Sequence, residues 1–204
     1  MKNQIDSRLD HMAICAGATQ ISPDGRRKFE ICVASSCKRS RMEIKMEKRK
    51  LVTPGDIKAA LRDVGVKKGQ SIMVHTSLSS LGYVCGGAQS VIEALMENVS
   101  DEGTIMMPTQ SWKNLDPAAG VYWQEPKEWW PVIRECIPAY DKRITPTNTM
   151  GAVPEMFRQW PGTLRSNHPA RSVAAWGRYA QYLTENHDLS DIFGDNSPIG
   201  RLYE

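Results

Sequence analysis

Long apolar runs are missing from this chain of 204 residues. None approaches the roughly 18 to 20 residues that span a bilayer, so a membrane-spanning helix is not expected. Cysteine is sparse: five in all, too few for a disulfide scaffold and odd in number. Reduced thiols and a cytoplasmic setting are the expectation. Cys32 and Cys37 lie five apart with no second ligand pair after them, so no zinc pattern forms and no metal is expected. Neither a G-x-x-x-x-G-K-[ST] nor a G-x-G-x-x-G run occurs, which excludes a P-loop and a dinucleotide fingerprint. Residues 12–18 are apolar, but too short and too acidic in their approach for a signal peptide.

What is present is ordinary globular material, with 41% hydrophobic and 24% charged residues. The net charge of +3 is uneven. Residues 1–45 hold nine Lys or Arg against five acids, and the remainder holds 17 against 18. A near-neutral body argues against a nucleic-acid face. The first 45 residues carry no sustained period and read as a basic irregular tail, with Cys37-Lys38-Arg39-Ser40-Arg41 as a solvated run. Met42 and Met46 precede the first patterned element, and translation is expected to begin near Met46. The domain is accordingly assigned to residues 46–204.

From residue 51 the patterns agree. Thr53-Pro54-Gly55-Asp56 is a helix start. Ile57, Ala60, Leu61 and Val64 follow on one face, with Gly65 to stop them. Residues 71–75 are a short apolar strand, 76–89 a Ser- and Gly-rich loop, 90–99 a helix and 104–108 a second strand. Strand, helix and strand within about 40 residues predict two parallel strands. Residues 112–150 hold four of the six Trp with little period, as a functional lid does. A short helix at 154–160, a turn at 166–169, a strand at 172–176 and helices at 178–186 and from Ser197-Pro198 complete an α/β fold. Its sheet is mixed and partly parallel, flanked by helices.

In such sheets ligands bind beyond the carboxyl ends of the strands. Two loops leave those ends, at His75-Thr76-Ser77 and at Pro108-Thr109-Gln110. The first has hydroxyls at Thr76, Ser77, Ser79 and Ser80 and glycines at 82, 86 and 87, and leads into a helix. Free N–H groups at that end suit a phosphate, although a plain connecting loop has the same composition. Of the four histidines, His11 lies in the tail and His187 caps a helix end. His75 ends a strand, where a structural role is as natural as a functional one. His168 sits on a loop between Asn167 and Pro169 and is the candidate general base.

The segment 74–88 (Val-His-Thr-Ser-Leu-Ser-Ser-Leu-Gly-Tyr-Val-Cys-Gly-Gly-Ala) resembles the coenzyme A loop of the aminoglycoside 3-N-acetyltransferase family. Blocks at 103–109, 145–153, 164–169, 172–177 and 197–203 are similar to that family in the same order. The resemblance implies acetyl transfer from acetyl-CoA to the 3-amino group of a 2-deoxystreptamine aminoglycoside, conferring antibiotic resistance. It implies His168 as the base. His75, Thr76, Ser77, Ser79, Ser80, Leu81, Gly82, Tyr83, Val84 and Thr109 would hold the co-substrate. A polycationic substrate calls for carboxylates and sugar-stacking rings. Asp116, Glu125, Glu128 and Asp141 are the candidate acids, and Trp112, Tyr122 and Trp123 the candidate rings, with Asp116 first. A monomer or homodimer without nucleic-acid or membrane partners is expected. Family members continue further, with a carboxylate that orients the histidine. On that ground the chain is expected to be C-terminally truncated and weak or inactive in acetylation. The alternatives are the same fold acting on another amine, or a fragment that only binds coenzyme A.

Overall fold

The computed structural model describes residues 50–119 and 123–204, together with the backbone of strands β1 (Ile14–Ala16) and β2 (Phe29–Val33). These two strands fall inside the segment read as irregular. At three and five residues they are too short to show a period. The basic run at 37–41 and the boundary near Met46 lie outside the described residues.

After β3 (Leu51–Val52), Thr53 caps helix α1 (Pro54–Asp63) through a reciprocal pair. Asp56 N–H donates to Thr53 Oγ1 at 3.2 Å, and Thr53 N–H donates to Asp56 Oδ2 at 2.9 Å. Gly65, at φ +91°, turns the chain out of the helix. Strand β4 (Ser71–Thr76) leads to a single helical turn, α2 (Leu78–Leu81), and a short strand, β5 (Tyr83–Val84). Helix α3 (Gly87–Val99) begins three residues before the apolar period does. Gly86 at φ +77° and Gly87 at φ +58° make that earlier start. A Cβ on Gly86 would stand 2.2 Å from Ser90 Oγ, so a larger residue would have to displace that hydroxyl and hold a left-handed backbone.

Strand β6 (Thr104–Pro108) pairs parallel with β4, as the strand–helix–strand spacing predicts. The lid region contains helix α4 (Trp130–Cys136) and two 3-10 turns, but no strand among its described residues. Helix α5 (Ala152–Phe157), β7 (Leu164–Arg165), β8 (Val173–Gly177), α6 (Ala180–Thr184) and α7 (Pro198–Tyr203) follow. The main sheet runs β1-β2-β4-β6-β8-β7, parallel from β2 to β6 and antiparallel at β1, β8 and β7. Strands β3 and β5 form a separate parallel pair.

Alternation along the strands builds two cores. Ile72, Val74, Ile105, Met107 and Ala174 pack with α1, α3 and α5 through Ile57, Leu61, Ile92, Leu95 and Phe157. Met73, Met106, Val173 and Ala175 pack on the other face with Ala180 and Leu183 of α6 and Ile199 and Leu202 of α7. The layers are helix, sheet, helix, and strands β4 and β6 are apolar toward both sides. Among the described residues no helix is long and apolar enough to cross a membrane.

Phe157 is wholly buried at the end of α5, where it closes the first core. Phe157→Ala leaves a cavity and is expected to destabilise the domain by about 3 to 5 kcal/mol. Urea denaturation followed by circular dichroism measures it; a loss below about 1 kcal/mol would contradict the packing described.

Candidate functional site

Where β4 ends, the chain opens a cleft of about 600 Å³. Thr76, Ser77, Ser79, Gly82, Tyr83 and Val84 line one wall, all from the loop singled out by composition. Leu78 and Gly87 complete that side, and residues 149–152 form the opposite wall. The first turn of α3 holds no acid and no side-chain cap, so its N–H groups and the positive end of its dipole stand uncompensated beside Gly87. Ser77 Oγ and Ser80 Oγ are 2.8 Å apart and brace the α2 turn. Thr76 Oγ1 is buried without a hydrogen-bond partner. Hydroxyls, open N–H groups and no carboxylate among the lining residues make this a place for an anion.

The other expected contacts lie elsewhere. Leu81 is buried in the first core. His75 is half-buried on β4, outside the cleft lining. Thr109 is fully buried and holds β8: its N–H donates to the Ser172 carbonyl at 2.9 Å. The opposite wall was missed among the expected contacts. Its signal in the sequence is Gly151, which adopts φ +90° next to Thr149 at φ +62°.

Between the strand ends and the lid sits Arg165, 4% exposed. All five of its N–H donors are used. Nε donates to Ser172 Oγ at 3.1 Å; Nη1 donates to the carbonyls of Thr145 at 2.5 Å and Lys142 at 3.4 Å. Nη2 donates to the Thr109 carbonyl and Ser111 Oγ, each at 2.7 Å. The guanidinium also lies 5.2 Å from the centre of the Tyr140 ring. Burial pushes its pKa below the usual value, yet an arginine stays charged. A second buried cation, Arg158, pairs with Glu155 and donates to the Arg143 carbonyl at 3.0 Å. Glu155 also accepts the Thr147 N–H at 2.8 Å. Burial raises the Glu155 carboxyl, but Arg158 and Thr147 outweigh it and hold the pKa at about 2.

His168 is 5% exposed on the loop after β7. Its Nδ1 accepts the N–H groups of Ala170 at 3.1 Å and Arg171 at 3.0 Å. In the neutral ring the proton therefore sits on Nε2, which is buried without a partner. Burial, then the charge of Arg171, lowers its pKa below the ordinary imidazole value. His187, read from sequence as a helix cap, is 8% exposed and packs on His168 with ring centres 4.7 Å apart. Distance along the chain hid that pairing.

The expected substrate carboxylates already hold cations. Arg134 donates to both oxygens of Asp116, at 2.6 and 3.0 Å, and holds its pKa at about 2. Arg143 does the same to Asp141. Glu125 takes Lys113 at 2.9 Å and lines an apolar cleft of about 550 Å³ with Trp123 and Trp129. Glu128 lies in the 3-10 turn that precedes α4. Trp112 carries Arg171 at 4.7 Å from its ring centre. Tyr122 lies outside the described residues.

A helix–sheet–helix domain with an open, anion-favouring cleft at its strand ends is the layout of a ligand-binding α/β domain. Comparison with known proteins identifies which. A family model described as aminoglycoside 3-N-acetyltransferase matches residues 73–204. The SPbeta prophage-derived aminoglycoside N(3')-acetyltransferase-like protein YokD of Bacillus subtilis (strain 168) is 45% identical over 74% of this chain and 56% of its own length. Its crystal structure superposes with a TM-score of 0.70 at 46% identity, covering 74% of this chain and 60% of that one. Aminoglycoside N(3)-acetyltransferase IX of Micromonospora chalcea is 38% identical over 74% and 53% of the two chains. The structure of AAC-IIIb binary with CoASH matches at 31% identity and a TM-score of 0.63, covering 75% and 56%. The chain belongs to the aminoglycoside 3-N-acetyltransferase family. It spans about half the length of the curated relatives it matches.

Two predictions follow from the buried cations. Arg165→Lys removes at least two of the five hydrogen bonds and is expected to cost roughly 2 to 4 kcal/mol in urea denaturation. For Glu155 the folded pKa, about 2, lies below the reference 4.5. Its stabilisation is therefore present above pH 4.5 and is lost as pH falls toward 2. Glu155→Gln is expected to flatten the fall of thermal midpoint across that interval; an unchanged slope would show that Glu155 does not drive it.

Proposed function

We propose that this chain carries the coenzyme A-binding part of an acetyltransferase that moves an acetyl group from acetyl-CoA to the 3-amino group of a 2-deoxystreptamine aminoglycoside. The observation that carries the reading is the cleft at the end of β4, with its hydroxyl loop and the free N-terminus of α3. It falls within the part of the chain matched by the family, and a relative of similar fold holds CoASH. The pyrophosphate would take the N–H groups, and the pantetheine arm the space between the Ser77 loop and residues 149–152. The reaction is assigned to the cytoplasm, where acetyl-CoA is supplied.

In this scheme the uncharged amine attacks the thioester carbonyl. The tetrahedral adduct collapses to an amide, the thiolate leaves, and the proton lost from nitrogen passes through His168 to sulfur. A lowered pKa keeps His168 uncharged and receptive at neutral pH. Its tautomer sets a condition. For Nε2 to accept a proton, the ring proton must first sit on Nδ1, and Nδ1 now accepts Ala170 and Arg171. Substrate binding would have to open those two bonds. At the Asp116 and Asp141 carboxylates an aminoglycoside ammonium would compete with Arg134 and Arg143.

Calorimetric titration with coenzyme A tests the cleft. Binding is expected, and it is expected to weaken when a carboxylate is placed in the wall by Ser77→Asp. No binding by the folded chain would overturn the reading. With gentamicin or kanamycin and acetyl-CoA, thiol release is the readout. His168→Asn is expected to lower it by on the order of 100-fold or more with coenzyme A binding unchanged. Coenzyme A binding without turnover on any aminoglycoside would move the assignment to another amine.

A further inference from the structure

We propose that His187 is the positioning residue of His168, a ring that fixes the orientation of the candidate base and keeps water from it. The inference rests on the reading of His168 given above and extends it to a residue remote in sequence.

Three contacts make the case. The rings stand 4.7 Å apart between centres, at 50° to each other, and each residue is less than a tenth exposed. His187 Nδ1 lies 2.9 Å from Ser166 Oγ, and Ser166 is two residues before His168 on the same loop. Ser166 Oγ already accepts the Val173 N–H at 3.0 Å, so its own hydrogen is free to point at Nδ1. His187 is thus tied to the loop it buttresses, and through Val173 to the sheet. Tyr140 holds the same loop from the lid, donating to the Ser166 carbonyl at 3.0 Å.

Electrostatics agree. Burial, then the neighbouring His168, pushes His187 down to about 4, with Arg201 acting in the same direction and Asp188 and Asp191 opposing it. The charged group facing His168 is Arg171, which also disfavours a second positive charge. At neutral pH His187 contributes volume and one hydrogen bond, not charge. Its removal admits water to His168 and weakens the desolvation that keeps that ring uncharged.

The test is a nitrogen-15 NMR titration of the imidazoles in the whole chain, wild type and two variants. In the wild type His187 is expected to show no protonation above pH 6, with His168 titrating below the ordinary imidazole value. His187→Asn keeps a polar atom for Ser166 but loses the ring, and is expected to raise the His168 midpoint by about 1 pH unit. His187→Phe keeps the ring bulk and is expected to leave the midpoint low. The acid limb of kcat/KM should move upward with His168 in the Asn variant alone. An unmoved His168 in folded His187→Asn overturns the proposal. Protonation of wild-type His187 above pH 6 overturns it without any variant. The titrations need no ligand, so failure of coenzyme A binding would count against the proposed activity and leave this inference standing.

Discussion

A buried guanidinium whose five donors all end on neutral oxygens is a demanding object. Arg165 cannot shed its proton, and burial makes its charge costly. The chain answers by bringing oxygens to it from three directions: residues 109 and 111 after β6, residues 142 and 145 from the lid, and Ser172 at the head of β8. Remove the cation and the carbonyls of residues 142 and 145 lose the donor that ties them to the strand ends, although β6 and β8 still pair directly. Among its described residues the lid contains one α-helix, of seven residues, and that helix is mostly exposed. Polar clamping does there what apolar burial does in the two cores. Ser111 relays the same clamp, donating to the Pro146 carbonyl at 3.1 Å.

The site inherits its shape from that arrangement. Ser111 N–H donates to the Ala170 carbonyl at 2.8 Å, so the stretch beside His168 is pinned to the segment Arg165 gathers. Asn148 N–H donates to the Gln110 carbonyl at 2.8 Å, which carries the chain on toward the wall at 149–152. The Glu155–Arg158 pair anchors the other end of that wall through Thr147 and Arg143. Histidine loop and cleft wall therefore share one polar scaffold, although no helix or strand spans the two.

What the sequence made legible follows from the range of each signal. The capping box at Thr53, the α1 stripe and the parallel pairing of β4 and β6 rest on neighbours within a few turns or one crossover. The hydroxyl- and glycine-rich stretch was local too, and six of its expected contacts line the cleft. Long-range features were illegible. Nothing near Arg165 announces that its partners lie up to 56 residues away. His187 looked like a helix cap because its ring neighbour stands 19 positions earlier. Asp116 and Asp141, candidate substrate acids by sequence, are each paired with an arginine of the same segment.

The two walls of the cleft differ in kind. On one side hydroxyl side chains face the space; on the other the chain bends through Thr149 at φ +62° and Gly151 at φ +90°. Peptide groups in such a bend are set by backbone torsion more than by side-chain identity. Mutational drift at positions 149, 150 and 152 would then trim the contour of that wall while leaving its polarity intact. The fit of a ligand in the cleft can change there while the cleft keeps its preference for an anion.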